Sequence, residues 1–170
     1  NRGKYWNSQE SGIFQKRRTM YAFDRARETI RRQEFVIIVE GYMDCIACHQ
    51  AGVLNAVATL GTALTEEHVR FLRRFASRVV LVYDSDDAGQ RAAERSISQF
   101  IAQDLDLRIL NVPSGKDPAD YLEDHSREEF LSLTASAAEA WEYKLQAVLK
   151  RTGVATLAGD RKSTRLNSSH

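Results

Sequence analysis

Hydrophobic residues in this chain occur in two patterns, as continuous runs and at helical spacing. Continuous apolar runs predict four short strands, at residues 35–39, 55–59, 78–83 and 107–112. Helical spacing predicts the helices between them, over 20–32, 43–51, from Thr65 onward, and over 87–102. Because strands and helices alternate, we predict an α/β fold with a mostly parallel sheet flanked by helices.

Two more helices are predicted after the last strand. Asp117 and Pro118 begin the first of them, because proline is favoured in the first turn of a helix. Residues 127–150 are amphipathic and predict a second, continuous helix. The predicted fold therefore ends in helices rather than in further strands.

The composition is typical of a soluble globular protein. Of the 170 residues, 43% are hydrophobic and 28% are charged, which is close to the average for globular domains. No apolar run approaches the ~20 residues of a membrane span, and no apolar segment follows the polar N-terminus as in a signal peptide. We therefore expect a cytoplasmic protein without a membrane partner.

Charge is distributed unevenly, although the net charge is only +1. Residues 1–33 contain nine basic and three acidic residues, a net charge of +6. Residues 103–142 contain ten acidic and three basic residues, a net charge of −7. A basic front favours a phosphate-rich partner, although a solvated helix face is an alternative explanation.

Carboxylates follow two of the predicted strands at the point where each strand ends. Glu40 comes directly after 35–39, and Asp84 and Asp86 follow 78–83. The carboxyl ends of parallel strands share one edge of a sheet, so the three acids converge if the two strands are neighbours. Oxygen ligands without histidine or cysteine suit Mg²⁺ or Mn²⁺, and such an ion offsets the repulsion among the carboxylates.

Other roles are open to these acids. Asp86 or Asp87 could cap the helix that follows, and Glu40 could be an ordinary surface carboxylate. A receiver-type phosphoacceptor also has aspartates at strand ends. An EF-hand is excluded, because Ala88 and Arg95 occupy ligand positions of that loop.

Several motifs together resemble the bacterial DnaG-type primases, which contain a TOPRIM domain. In chain order they are KYWNSQES (4–11), FQKRR (14–18), VEGYMD (39–44), ATLGTALTEEH (58–68), YDSDDAGQRAA (83–93) and GKDPADYL (115–122). The combination of EGYMD, LGT and YD-x-D-x-AG is specific to the primase branch of this fold. The resemblance covers roughly residues 3–150.

The resemblance implies a division of the chain into segments. Residues 34–125 would form the TOPRIM domain, 1–33 a basic lead-in from the preceding part of a polymerase core, and 126–159 the start of a helical subdomain. Residues 160–170 lack apolar periodicity, and we interpret them as a non-native tail. We expect the chain to be an internal fragment of a longer protein.

The function implied by the resemblance is enzymatic nucleotidyl transfer. A primase makes short RNA primers on single-stranded DNA during replication, when a primer 3′-hydroxyl attacks the α-phosphate of a nucleoside triphosphate. Glu40, Asp84 and Asp86 match the catalytic, metal-binding acids of the family, and Asp44 matches another acid of the site. Glu40 serves either as a ligand or in proton transfer.

The chain departs from the family pattern at the D-P-D element. Asp117 matches the first acid of this element, but Ala119 stands where the second acid falls. Asp120 follows one residue later, which turns a helical side chain by about 100°. We keep both aspartates as candidate metal ligands.

Basic residues near the N-terminus match the family's nucleotide- and template-binding positions. Lys4 and Lys16 match its lysines, and Asn7 and Arg18 lie nearby. The implied partners are single-stranded DNA, nucleoside triphosphates, the RNA primer and, through a C-terminal domain missing here, a replicative helicase. The implied cofactor is Mg²⁺ or Mn²⁺, and zinc would belong only to the full-length protein.

Two alternative functions remain open. The first is another TOPRIM protein, such as a topoisomerase or a nuclease, against which Lys4 and Lys16 argue by their primase context. The second is a non-catalytic nucleic-acid-binding module, supported only by the displaced Asp120. Cys45 and Cys48 form a C-x-x-C pair without the second ligand pair of a zinc site, and we interpret them as packing residues.

Overall fold

The computed structural model describes residues 8–12, 14–61, 63–83, 97, 100, 105–113 and 117–152. Within these residues the strands are β1 (Phe35–Val39), β2 (Ala56–Ala58), β3 (Arg78–Tyr83), β4 (Asp106–Asn111) and β5 (Ala138–Glu139). The helices are α1 (Phe23–Gln33), α2 (Tyr42–Gln50), α3 (Glu66–Leu72), α4 (Pro118–Asp124), α5 (Arg127–Ala135) and α6 (Ala140–Thr152).

The strands form one sheet in the order β2-β1-β3-β4-β5. The first four strands are parallel, and β5 pairs antiparallel with β4. In the centre, Ile38 pairs with Val57 on one side and with Leu81 on the other. The predicted fold class is confirmed, and each of the four predicted strands lies within one residue of its predicted bounds.

The central strands are buried on both faces, as the continuous apolar runs predicted. Val36 and Ile38 of β1 face a core that includes residues of α1 and α3. Ile37 and Val39 face the opposite core, which includes residues of α2, α4 and α5. Alternate residues of one strand therefore stabilise two separate layers of helices.

Most helix predictions are confirmed with small shifts of their ends. The predicted helices over 20–32 and 43–51 correspond to α1 and α2, and Thr65 caps α3 as expected. Of the predicted helix over 87–102, only Ile97 and Phe100 are described, and both are helical and fully buried. No helix in the described ranges is long and apolar enough to cross a membrane.

The prediction of one continuous helix over 127–150 is wrong. The chain instead forms α5, then β5, then α6. Phe130 of α5 is fully buried in the core beneath the sheet, while Ala138 pairs with Ile109 at the edge of β4. A local hydrophobic pattern does not reveal this pairing, which satisfies backbone groups at an otherwise open edge. The division into a lead-in, a central domain and a helical subdomain stays a prediction, and residues 160–170 lie outside the described chain.

Candidate functional site

Glu40 lies at the carboxyl edge of the sheet, directly after β1. The adjacent parallel strand is β3, and the register pairs Ile38 with Leu81. β1 ends at Val39 and β3 ends at Tyr83, so Glu40 directly follows a strand end that lies next to the end of β3. The expectation that these strands are neighbours is therefore confirmed, and Glu40 is exposed there.

The other two predicted catalytic acids, Asp84 and Asp86, lie outside the described residues. Their convergence with Glu40 therefore stays a prediction. Within the described part of the chain, no three acidic, histidine or cysteine side chains lie close enough together to hold a metal ion.

The Asp44 carboxylate closes the turn between β1 and α2. Asp44 is 8% exposed, and its Oδ2 accepts a hydrogen bond from the Gly41 N–H at 3.1 Å. A Cβ at residue 41 would lie 2.6 Å from this oxygen, so any larger residue there would have to displace the Asp44 carboxylate. In this geometry Asp44 orients the turn that follows Glu40. Its role as a metal ligand stays a prediction.

Asp117 caps α4 at the same end of the molecule. Its Oδ1 accepts a hydrogen bond from the Asp120 N–H at 2.7 Å, and Pro118 occupies the first turn, which confirms the predicted helix start. Ala119 lines a groove between α4 and α2 together with Met43. The Asp120 side chain is exposed. Metal binding by Asp117 and Asp120 stays a prediction.

His68 holds the basic lead-in segment in place, and the sequence analysis missed this role. Its side chain is fully buried, and its Nε2–H donates to the Lys16 carbonyl oxygen at 3.0 Å and to that of Thr19 at 3.3 Å. Nδ1 accepts from the Thr65 N–H at 3.2 Å, an arrangement that assigns the tautomer. Burial lowers the pKa of His68, which favours the neutral ring. The signal was a histidine three residues after the Thr65 cap, where side chains commonly reach back.

These hydrogen bonds place Lys16 near the carboxyl edge. Thr65 adds a further bond, since its Oγ1 donates to the Arg17 carbonyl oxygen at 2.8 Å. The chain leaves β2 at the carboxyl edge before it enters α3, so a segment attached to the start of α3 lies on that side. Arg18 is exposed and lines a concavity with Arg70 of α3. Two further predicted residues lie outside the described part of the chain, Lys4 and Asn7.

Cys45 and Cys48 are free, buried thiols, in agreement with the packing interpretation. Burial raises the pKa of Cys45 to about 12 and also raises the pKa of Cys48. The Cys45 Sγ donates to the Ala56 carbonyl oxygen at 3.6 Å. Thiols in this environment are poor nucleophiles, so we assign them no part in the site.

The Toprim-like family matches residues 37–122 of the chain. The match begins in β1 and ends in α4. It therefore includes the carboxyl ends of β1 to β4, where the predicted acids occur.

The curated relatives include DNA primases from two bacteria. The chain is 41% identical to the DNA primase of Listeria innocua over 139 residues, which are 81% of this chain and 22% of the relative. It is 38% identical to the DNA primase of Clostridium acetobutylicum over 151 residues, 89% of this chain and 25% of the relative. The chain thus spans about a quarter of the length of these curated relatives.

Solved primase structures are similar to the chain over most of its length. A DNA primase domain from Pseudomonas aeruginosa matches with a TM-score of 0.83 and 35% identity, over 94% of this chain and 51% of that one. A DnaG primase catalytic domain bound to single-stranded DNA matches with a TM-score of 0.81 and 30% identity, over 89% and 49%. Since these four relatives are all primases, the comparisons do not favour the topoisomerase, nuclease or non-catalytic alternatives.

Proposed function

Since the chain belongs to the Toprim-like family, we propose that it is the metal-dependent catalytic part of a DNA primase, which makes short RNA primers on single-stranded DNA. The observation that carries this proposal is the adjacency of β1 and β3, the strands that Glu40 and Asp84 follow. Similarity to DNA primases over 81–89% of the chain supports it.

The donor set at this edge fits Mg²⁺ or Mn²⁺. Glu40 is exposed at the end of β1, and Asp84 and Asp86 follow the neighbouring strand in the sequence, so the oxygen ligands would come from two adjacent strand ends. We propose that these three residues hold the ion. Further proposed ligands are Asp44, Asp117 and Asp120. When bound, the ion would offset negative charge on the phosphate oxygens during the reaction.

The proposed reaction extends a primer by one nucleotide. The primer 3′-oxygen forms a bond to the α-phosphorus of a nucleoside triphosphate, and the bond from that phosphorus to pyrophosphate breaks. The hydroxyl proton passes to a base, for which Glu40 is a candidate because it is an exposed carboxylate at this edge. Lys16 and Arg18, which lie in the anchored lead-in segment, would bind phosphate groups of the nucleotide or the template. Two undescribed residues are proposed to share this role, Lys4 and Asn7.

The proposed partners follow from this reaction. They are a single-stranded DNA template, nucleoside triphosphates, the RNA primer and a replicative helicase. The template is supported by the similar DnaG catalytic domain that was solved with single-stranded DNA. Helicase binding and zinc in a longer protein stay predictions.

The test compares two glutamates that flank β1. Glu34 precedes the strand and Glu40 follows it, and both side chains are exposed. We expect Glu40→Gln and Asp84→Ala to weaken Mn²⁺ binding by at least about tenfold in titration calorimetry. Primer synthesis by the intact protein should fall at least about a hundredfold, whereas Glu34→Gln should leave Mn²⁺ binding within about twofold. Near-normal synthesis by Asp84→Ala, or an equal loss in Glu34→Gln, would contradict the proposed site.

A further inference from the structure

Exposed arginines form a surface that extends along α3, away from the carboxyl edge of the sheet. We call it the arginine surface, and its members are Arg31, Arg70, Phe71, Arg73, Arg74 and Phe75. All four arginines are exposed. Arg70 lies in α3, whereas Arg73 and Arg74 lie in the turn that follows it, and Arg70 and Arg74 line one concavity.

Two adjoining concavities make this surface continuous with the lead-in segment. Arg18, Arg70 and Arg74 line the first concavity, of about 400 Å³. Arg74 also lines the second, of about 390 Å³, together with Arg31 and Arg73. Arg31 lies in the last turn of α1, just before β1 begins. The surface therefore runs from the carboxyl edge, near Arg18, to the amino edge of the sheet.

The guanidinium groups at the amino edge gather around one aromatic ring. The Cζ atoms of Arg31 and Arg74 lie 5.0 and 5.8 Å from the centroid of the Phe75 ring, within the range of cation–π attraction. Within the described residues, no ion pair involves Arg31, Arg73 or Arg74. Their positive charge is thus available to an anionic partner.

Acidic residues border the surface without neutralising it. Glu66 pairs with Arg70 at 2.9 Å, Glu67 lines the first concavity, and Glu34 lines the second. With Arg18 included, five arginines face these three carboxylates. The surface therefore keeps a net positive charge.

We propose that the arginine surface binds the phosphate backbone of single-stranded DNA and extends the path of the template beyond the catalytic edge. This inference rests on the proposed function. An elongated row of guanidinium groups, of which Arg31, Arg73 and Arg74 form no ion pair within the described residues, complements a polyanionic strand better than a single small anion. Phe71 and Phe75 are half-buried and pack against Phe23 at 4.6 and 5.0 Å between ring centroids. No large apolar side chain is exposed among the members, which argues against a lipid surface.

The test removes two charges from the surface and compares this with the loss of two charges elsewhere. Arg73→Gln/Arg74→Gln is the test pair, and Arg127→Gln/Lys144→Gln is the control pair on α5 and α6. Binding of a fluorescent oligo-dT by the full chain is followed by anisotropy in EDTA between 50 and 200 mM salt. For the test pair we expect about a tenfold weaker Kd at low salt and a salt slope smaller by about 1.4, because each single-strand phosphate contact contributes about 0.7.

The control pair should stay within about twofold of the unchanged chain. Arg73→Lys/Arg74→Lys should recover most of the affinity, since lysine also binds phosphate as a point charge. Equal losses of oligo-dT affinity in the test and control pairs, or an unchanged salt slope in the test pair, would overturn the proposal. A test pair that binds oligo-dT normally but loses binding to anionic phospholipid vesicles would also overturn it. So would a failure of the unchanged chain to bind oligo-dT.

The measurement in EDTA also separates this proposal from the proposed function. If the test pair loses binding but the intact protein makes no primers with Mg²⁺, the arginine surface stands and the catalytic proposal fails. If primers are made and the test pair binds normally, the catalytic proposal stands and the arginine surface fails.

Discussion

Replacing His68 with phenylalanine should release the basic segment at residues 16–19 from α3. Phenylalanine keeps a planar aromatic ring at this buried position, although a somewhat larger one. It lacks the Nε2–H shared by the Lys16 and Thr19 carbonyls and the Nδ1 that accepts from the Thr65 N–H. Each hydrogen-bonding nitrogen is worth about 1 kcal/mol net, so the expected loss is about 2 kcal/mol. That is a substantial part of a typical unfolding free energy of about 5–15 kcal/mol.

Two assays report this loss. With a urea m-value of about 2 kcal/mol/M, the unfolding midpoint should fall by about 1 M. Trypsin cleaves after lysine and arginine, and Lys16, Arg17 and Arg18 are consecutive in the released segment. If the whole loss appears as local opening, cleavage at these residues should accelerate about thirtyfold, because 1.4 kcal/mol changes the open population about tenfold.

His49→Phe is the matched control. The His49 Nε2 donates to the Ala56 carbonyl oxygen at 2.9 Å, and no hydrogen bond in the described chain joins it to residues 16–19. The control should lose about 1 kcal/mol of stability without faster cleavage at Lys16 or its neighbours. If both variants show the same cleavage rate there, His68 does not anchor the segment, and the reasoning is refuted.

The pH dependence of stability offers a second measurement on His68. Burial lowers the pKa of His68 in the folded chain, while in the unfolded chain it is about 6.5. Between these two pKa values the unfolded state binds more protons than the folded state. The contribution of His68 to the free energy of unfolding is therefore complete above pH 6.5 and declines as the pH falls towards the folded pKa. The difference in unfolding free energy between the chain and His68→Phe should therefore shrink below pH 6.5, by up to about 1.4 kcal/mol per pH unit. A difference that grows on acidification would contradict this assignment.

Three further predictions concern the stability and reactivity of other positions. Gly41→Ala should cost about 1–3 kcal/mol of unfolding free energy, because its Cβ would lie 2.6 Å from the Asp44 Oδ2. Asp44→Ala in the same chain should remove part of that cost in a double-mutant cycle, and strict additivity would argue against the clash. Thr65→Val should cost about 1–2 kcal/mol in urea unfolding, since the hydroxyl accepts from the His68 N–H, whereas Thr65→Ser should be nearly neutral. Cys45 and Cys48 are buried, and burial raises the pKa of Cys45 to about 12, so both should react with a thiol reagent at pH 8 only as fast as the chain opens. Rapid labelling of the folded chain would show that they are accessible.

The strands were predictable because each is defined by a short apolar run. Phe35–Val39 and Arg78–Tyr83 match their predicted bounds, since a strand whose interior is buried on both faces appears in the sequence as an unbroken apolar run. The helix starts at Thr65 and Asp117 were also predictable, because a capping side chain bonds to a backbone amide three residues away. The continuous helix over 127–150 was mispredicted, because the segment contains a strand that is stable only when paired with β4.

The candidate site was partly predictable for the same reason. Glu40 was identified from its position after an apolar run and from the EGYMD motif, and the structure places it beside the end of β3. Two contacts were not predictable, the Asp44 bond to Gly41 and the His68 bonds to the lead-in segment. The sequence contains both Asp44 and His68, but it does not reveal their hydrogen-bond partners, because these depend on the backbone geometry.

The sequence by itself determined the first four strands, most of the helices and which acidic side chains follow the strands. These properties depend on hydrophobic periodicity and on capping within a few residues. Tertiary structure decided that β1 lies beside β3, that β5 completes the sheet, and that His68 bonds to residues 49 and 52 positions earlier in the chain. Such contacts join residues distant in sequence, and they form only because folding buries both faces of the sheet and leaves their polar groups to satisfy one another.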